Sequence, residues 1–350
     1  MNKLIRRTVV SAVLMTAGIF AYGQEASASN DNFNGAKEYF HFGLNKNTTF
    51  FNGNSDTKII SLGVLTASDK SIVGCQSSVF FNHVDDEAVG LQYTAGVSIA
   101  ENGFTGGQIS GITNISHGLS RGAQISHGAN IAEKLSGTQI SFLFNKAKTV
   151  KGLQLGLVNI SDDTDSTLGL VNIIKNGVHD FGISYDSNGK LCLQIQEGGK
   201  NLFTNIGVAG KVQGDFFNGE FCEVWLGLGS RFAYKKLSLD TEFLWKYVFS
   251  KEFTDLRNSV MDAHDADNDE LAEELVKDFS KFQIPHLQFS LNFEVAKHFA
   301  LFGAFGVDLR VEDFNDEAFN HQKHNLSGSF NAGDKKISLY PAFSAGIKIK

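Results

Sequence analysis

The stretch Asp262-Ala-His-Asp-Ala-Asp-Asn-Asp-Glu270 is the most chemically suggestive in the chain, because it concentrates hard oxygen donors. Asp265, Asp267 and Asp269 stand at the i, i+2, i+4 spacing by which alternate carboxylates wrap a calcium ion. The pattern then fails: Glu270 stands where such a loop needs Gly, and Val276 where it needs a bidentate Glu. The stretch therefore reads as a solvated acidic loop. Leu271, Leu275, Phe279 and Phe282 follow at helical spacing with Asp269 as N-cap, which predicts a surface helix packed on the loop or a rim. None of the ten histidines has a metal-binding spacing within a regular element, and Cys75, Cys192 and Cys222 are too scattered for a zinc site or a disulfide scaffold. No Gly-x-Ser-x-Gly elbow, phosphate loop or dinucleotide fingerprint occurs. The expectation is a protein without catalytic residues, metal or cofactor.

The remaining polar residues of interest are set by period. Gln76, Gln92, Gln108, Gln124, Gln139 and Gln154 follow one another at 15 to 16 residues. Four copies carry Gly-x-Gln-[Ile/Leu]-[Ser/Gly] and end in Asn, at 106–114, 122–130, 137–145 and 152–159. Such a unit has room for a strand of eight or nine residues and a turn, and is too short for the helix pairs of helical solenoids. In 137–145, Thr138, Ile140, Phe142 and Phe144 alternate with Gln139, Ser141 and, one step later, Asn145, so one face is apolar and the other holds amides and small polar groups.

The outright match Gly152-Leu-Gln-Leu-Gly-Leu-Val-Asn159 resembles the Gly-x-Gln-x-Gly-x-x-Asn unit of repeat-bearing surface proteins from Gram-negative and spirochaetal bacteria. The resemblance covers about residues 74 to 172. It implies a cell-surface or outer-membrane setting and no reaction; the copies with Ser110, Ser126 and Ser141 depart from its second Gly.

From Glu223 onward the period-two signal strengthens. In 286–295, Leu287, Phe289, Leu291, Phe293 and Val295 alternate with His286, Gln288, Ser290, Asn292 and Glu294. The same phase sets Asp240 and Glu242 against Leu239 and Phe243, and Asp308 and Arg310 against Val307 and Leu309. Strands of ten to thirteen residues suit the roughly 9–11 tilted residues that cross a bilayer as β, with apolar residues towards lipid. Short connections near 233–236 and 296–298 alternate with long ones at 250–285 and 312–335, the asymmetry between periplasmic turns and external loops.

These signals predict an all-β chain: an antiparallel transmembrane β-barrel of about 16 strands over 57–350. In it 74–172 are staves, 251–284 is an acidic external loop with a helix, and 24–56 is a lead-in. Gln76, Gln92, Gln108, Gln124, Gln139, Gln154, Asp240, Glu242, Asp308 and Arg310 face the lumen. Lys3, Arg6 and Arg7 before the apolar run 8–21 read as a secretory signal peptide ending near Gly23, since the run is short of a spanning helix. Removing it takes the net charge from −7 to −10, which argues against a nucleic-acid partner. The expected partner is outer-membrane lipid, with small solutes or host surface ligands beyond it. Two functions stay open, a passive pore and a surface-interaction protein. The alternative is a surface-displayed β-solenoid of the repeats joined to a smaller barrel, because short regular repeats stack.

Overall fold

The computed structural model describes residues 39–45, 48–53, 55–211, 221–265, 282–311, 328–332 and 335–350, with 271, 276 and 279. The signal peptide, most of the lead-in, and 266–270 of the acidic loop lie outside the described residues. The chain forms two compact units, 1–121 and 122–350.

In the first unit each repeat supplies two strands, not one. Thr57–Gly63, Ser71–Ser78, Ala88–Thr94 and Phe104–Ser110 stack in parallel, with Ser61, Gln76, Gln92 and Gln108 in one column. Thr66–Asp69, Phe81–Val84, Val97–Ala100 and the start of Thr113–Ser126 stack in a second sheet, with Ala67, Asn82, Ser98 and Asn114 aligned. A two-residue arc such as Val79-Phe80 joins the sheets. This is a parallel β-solenoid. Phe40–Asn45, expected in the lead-in, lies parallel to Thr57–Gly63 and starts the stack.

The second unit opens with the same construction. Ala129–Ser141, Phe144–Leu155 and Val158–Leu168 pair in parallel, placing Gln139 on Gln154, and Val158 pairs with Val171 of the strand Val171–Ile174. The expected antiparallel staves over 74–172 are thus corrected to parallel rungs. The physical reason is amide satisfaction: a Gln carries both donors and acceptors, so identical residues stacked in register saturate one another. Antiparallel neighbours would have set Gln against Asn.

From Val178 the pattern changes to an antiparallel meander. Val178–Asp186, Lys190–Gly198, Leu202–Lys211, Phe221–Tyr234, Leu237–Ser250, Gln283–Ala296, Phe299–Val311 and Lys335–Ile349 pair in sequence. The last closes on the first, Ile349 opposite Phe181. The closed barrel therefore has eight strands rather than about sixteen, because the repeats contribute none. Its outward phase is apolar and exposed: Leu226 and Leu228, Phe243 and Trp245, Phe289 and Leu291, Leu301 and Phe305. A helix, Lys251–Asp265, follows Leu237–Ser250. It begins before the helix expected from Leu271 onward, whose residues are described only in part. No helix among the described residues is long and apolar enough to cross a membrane.

Candidate functional site

Two polar interiors are candidates for function, the amide columns of the rungs and the lumen of the barrel. In the first unit Gln92 donates to Gln76 at 2.8 Å and Gln108 to Gln92 at 2.7 Å, while Gln76 donates to Asp69 at 2.8 Å. In the second, Gln139 donates to Gln124 and Gln154 to Gln139, each at 2.8 Å, and Thr164 donates its hydroxyl to Gln154. All six Gln side chains are fully buried or nearly so. The expected inward face is there, but it is the dry interior of the rungs, not a wet lumen.

An asparagine column runs beside it in the opposite sense. Asn130 donates to Asn145, Asn145 to Asn159 and Asn159 to Asn172, at 2.9–3.0 Å. Asn172 donates to Thr204 on the barrel, which ends the column. Each Gln amide points to the preceding rung and each Asn amide to the following one, so the dipoles of the two columns oppose one another. Both donors of an amide are used, the second going to a neighbouring carbonyl such as Leu155 O from Asn145. Buried polar groups are tolerated only when satisfied in this way.

The column is broken in the first unit, where Ser98 stands between Asn82 and Asn114. Among the described residues Ser98 Oγ has no hydrogen-bond partner. Ser98→Asn is expected to complete the column and raise stability by about 1 kcal/mol, one net buried hydrogen bond. A shift of the chemical-unfolding midpoint to higher denaturant checks it; a fall would mean that the rung has no room for the larger amide.

The barrel lumen holds three clusters. At the end where Val178 enters, Asp240 accepts both Nε and Nη2 of Arg231 at 2.7 Å and Lys348 Nζ at 2.8 Å; Arg231 also pairs with Asp180 at 2.8 Å. In the middle, Glu242 accepts Gln196 and Asn205 at 2.6 Å, Gln288 at 2.9 Å and the Ser290 hydroxyl at 3.3 Å. Trp225 holds Asn205 from behind with its indole N–H at 3.0 Å. At the far end Lys190 pairs with Glu223 at 2.7 Å, and Asp308 receives His286 at 2.6 Å, Lys246 at 3.1 Å and Arg310 at 3.3 Å. Between the last two clusters lies a cavity of about 40 Å3, room for a water molecule and no solute.

Of the four expected lumen residues, Asp308 and Arg310 meet in one cluster, while Asp240 and Glu242 belong to two others. All form charge or amide networks with other side chains of the lumen. Lys190, Glu223, Arg231, Lys246, His286 and Lys348 were not singled out in the sequence, though most occupy the inward phase of strands whose alternation was plain. What was missing was the pairing across strands, such as Arg231 opposite Asp240. Outside the barrel, burial raises the Cys75 thiol above its ordinary range.

No family model matches the chain, and no curated protein matches it. Among solved structures a chain described as "De novo design of transmembrane beta-barrels" is similar at 11% identity, over 49% of this chain and 91% of its own, with a TM-score of 0.25. What the pairing itself defines is an all-β protein that combines parallel rungs with a closed antiparallel barrel.

Proposed function

We propose that this is an outer-membrane protein whose barrel is a closed anchor and whose second-unit rungs form an interaction platform on the periplasmic side, without enzymatic activity. The observation that carries this reading is the inversion of the barrel: an exposed apolar outside around a lumen filled with paired charges. An apolar exterior of this extent is stable only against lipid or a partner. A barrel of eight strands leaves an interior that side chains fill, and here they do, which speaks against a passive pore. The smaller-barrel alternative is the one the geometry favours.

Its topology supports a periplasmic and not a surface-displayed position for the rungs of the second unit. The short turns 199–201, 235–236 and 297–298, the last strand residue Ile349 and the entry from Ile174 to Val178 fall at one end of the barrel. The strand ends that the longer connections join, Lys211 and Phe221, Ser250 and Gln283, Val311 and Lys335, fall at the other, together with the turn 187–189. Short turns are periplasmic in outer-membrane barrels, so the helix Lys251–Asp265 is external and is the part available to host ligands.

The test uses a chain with its three native cysteines replaced by Ser. A membrane-impermeant maleimide should label Met261→Cys on intact cells, and Lys297→Cys and Lys148→Cys only after the outer membrane is opened. Labelling of Lys148→Cys on intact cells would restore the surface-displayed reading. Planar bilayers containing the purified protein should show no unitary conductance steps; regular steps would restore the pore.

A further inference from the structure

The rungs of the second unit are amphipathic from edge to edge, not from inside to outside. Along one edge run the two-residue arcs Phe142-Leu143, Gly156-Leu157 and Gly169-Leu170. Phe142 is 74% exposed, and Leu143, Leu157 and Leu170 are all exposed. Leu155, Val171 and Ile173 flank this edge and are exposed as well. The opposite edge carries Glu133, Lys148 and Asp163, with Lys148 paired to Glu133 at 2.7 Å and Lys200 to Asp163 at 2.6 Å in open positions. Amides fill the interior towards the arcs, and Ala132, Leu135, Ala147 and Val150 fill it towards the charged edge. In water this is the wrong way round: the apolar side chains are outside while hydrogen-bonded polar ones are buried.

The register to the barrel gives the two edges different heights. Ser166 pairs in parallel with Leu202, the first residue of its barrel strand. Below that pair, the Asn201 amide donates to Asp165 O and the Lys200 amide to Thr164 O, so the charged edge is level with the turn 199–201. Above it, the Thr204 hydroxyl donates to Gly169 O at 2.8 Å. The arc edge is therefore level with Thr204 to Ile206, inside the apolar wall. Leu170, Val171 and Ile173 line one cleft of about 420 Å3 with Ile195 and Ile206 on the outward face of the barrel, and the paired His179 and Glu197 close it at the turn end. The apolar surface of the rungs and that of the barrel are one surface.

We propose that the arc edge of the rungs is a lipid-contact surface. Phe142, Leu143, Leu157 and Leu170 enter the hydrocarbon of the leaflet nearest the short turns, the cleft beside Ile195 and Ile206 takes acyl chains, and the charged edge stays in water. The rungs of the second unit are then a ridge set into one leaflet rather than a rod standing in the periplasm. Two observations favour lipid over a second copy of the chain: continuity with the barrel wall, and placement of Glu133, Lys148, Asp163 and Lys200 at the edge that the register puts at the turn level, with the long Lys146 side chain, in register with Ile160, between the two edges and able to snorkel towards that level. A helical amphipath lies in an interface for the same reason, apolar area on one side and charge on the other. The proposal rests on the reading of the barrel as membrane-spanning.

The experiment separates the two. In the cysteine-replaced full chain, reconstituted in phosphatidylcholine vesicles, a bimane label is placed singly at Leu157→Cys, Lys148→Cys and Phe289→Cys, all exposed positions that accept it without repacking. Quenching by phosphatidylcholine brominated on its acyl chains is compared with quenching by aqueous iodide. The expected result is lipid quenching at Leu157 equal to that at Phe289 and several-fold above that at Lys148, with the iodide order reversed. Lipid quenching at Phe289 with iodide quenching at Leu157 overturns the ridge and leaves the barrel reading intact. Iodide quenching at Phe289 overturns the barrel reading and the ridge with it. Protection of Leu157 from both quenchers, with a dimer in native mass measurement, assigns the edge to a second copy and also overturns the proposal.

Discussion

Asp240→Ala is expected to destabilise the barrel by about 3–5 kcal/mol, the loss typical of a buried ion pair deprived of one partner. Asp240 is fully buried and satisfies two cations, bidentate with Arg231 and through one oxygen with Lys348. Its removal leaves Lys348 Nζ, 1% exposed, without the carboxylate at 2.8 Å. Arg231 retains Asp180 and Gln196. Most of the loss should therefore come from the lysine, and Asp240→Ala combined with Lys348→Met should recover a large part of it. Urea unfolding of the vesicle-reconstituted protein, followed by the Trp fluorescence of Trp225 and Trp245, gives both values. A single-variant loss below about 1 kcal/mol, the range of an exposed pair, would mean that the lumen is wet and the cluster solvated.

Gly137→Ala should be comparably damaging to the rungs. Gly137 has φ of +145°, a region that L side chains rarely adopt, and a Cβ there would lie 1.9 Å from the carbonyl oxygen of Gly122 on the preceding rung. Strained φ costs roughly 1–3 kcal/mol, and forcing backbone apart adds a similar amount. The first Gly of the motif is thus a bend where one rung leaves the second sheet and rests on the same Gly of the rung before: a Cβ on Gly152 would likewise lie 2.1 Å from Gly137 O. Limited proteolysis should cut the variant within 122–174 while the barrel resists. Unchanged protease resistance across 122–174 would mean that the rungs can separate at no cost, and that the repeated Gly has another reason.

The alternation of Leu287, Phe289, Leu291 and Phe293 with His286, Gln288, Ser290 and Asn292 was legible because a strand's side-chain period is fixed by its backbone. The expected strand over 286–295 falls within Gln283–Ala296, and Asp240, Glu242, Asp308 and Arg310 take the inward phase it predicts. The same local rule locates the strands that carry Asp240 and Asp308. It also marked 139, 141 and 145 as one face, the face that the structure buries. These are properties of single strands, and the sequence by itself determines them.

Strand direction and closure are not. A spacing of 15 to 16 residues suits one strand and a turn as well as two short strands and an arc. Nothing in Gly137 to Asn145 alone says that Gln139 will meet Gln124 and Gln154 rather than an asparagine. That choice is made only when rungs stack, because an amide column needs each Gln both to donate and to accept in register. Likewise the pairing of Phe181 with Ile349, which makes the count eight, joins residues 168 positions apart. In the cluster around Asp240, Arg231 comes from the hairpin neighbour, but Lys348 of Lys335–Ile349 and, through Arg231, Asp180 of Val178–Asp186 reach it only when the barrel closes. The periodicity of the backbone is local, so the sequence displays it; the satisfaction of buried amides and charges is shared among distant residues, so only the tertiary structure decides it.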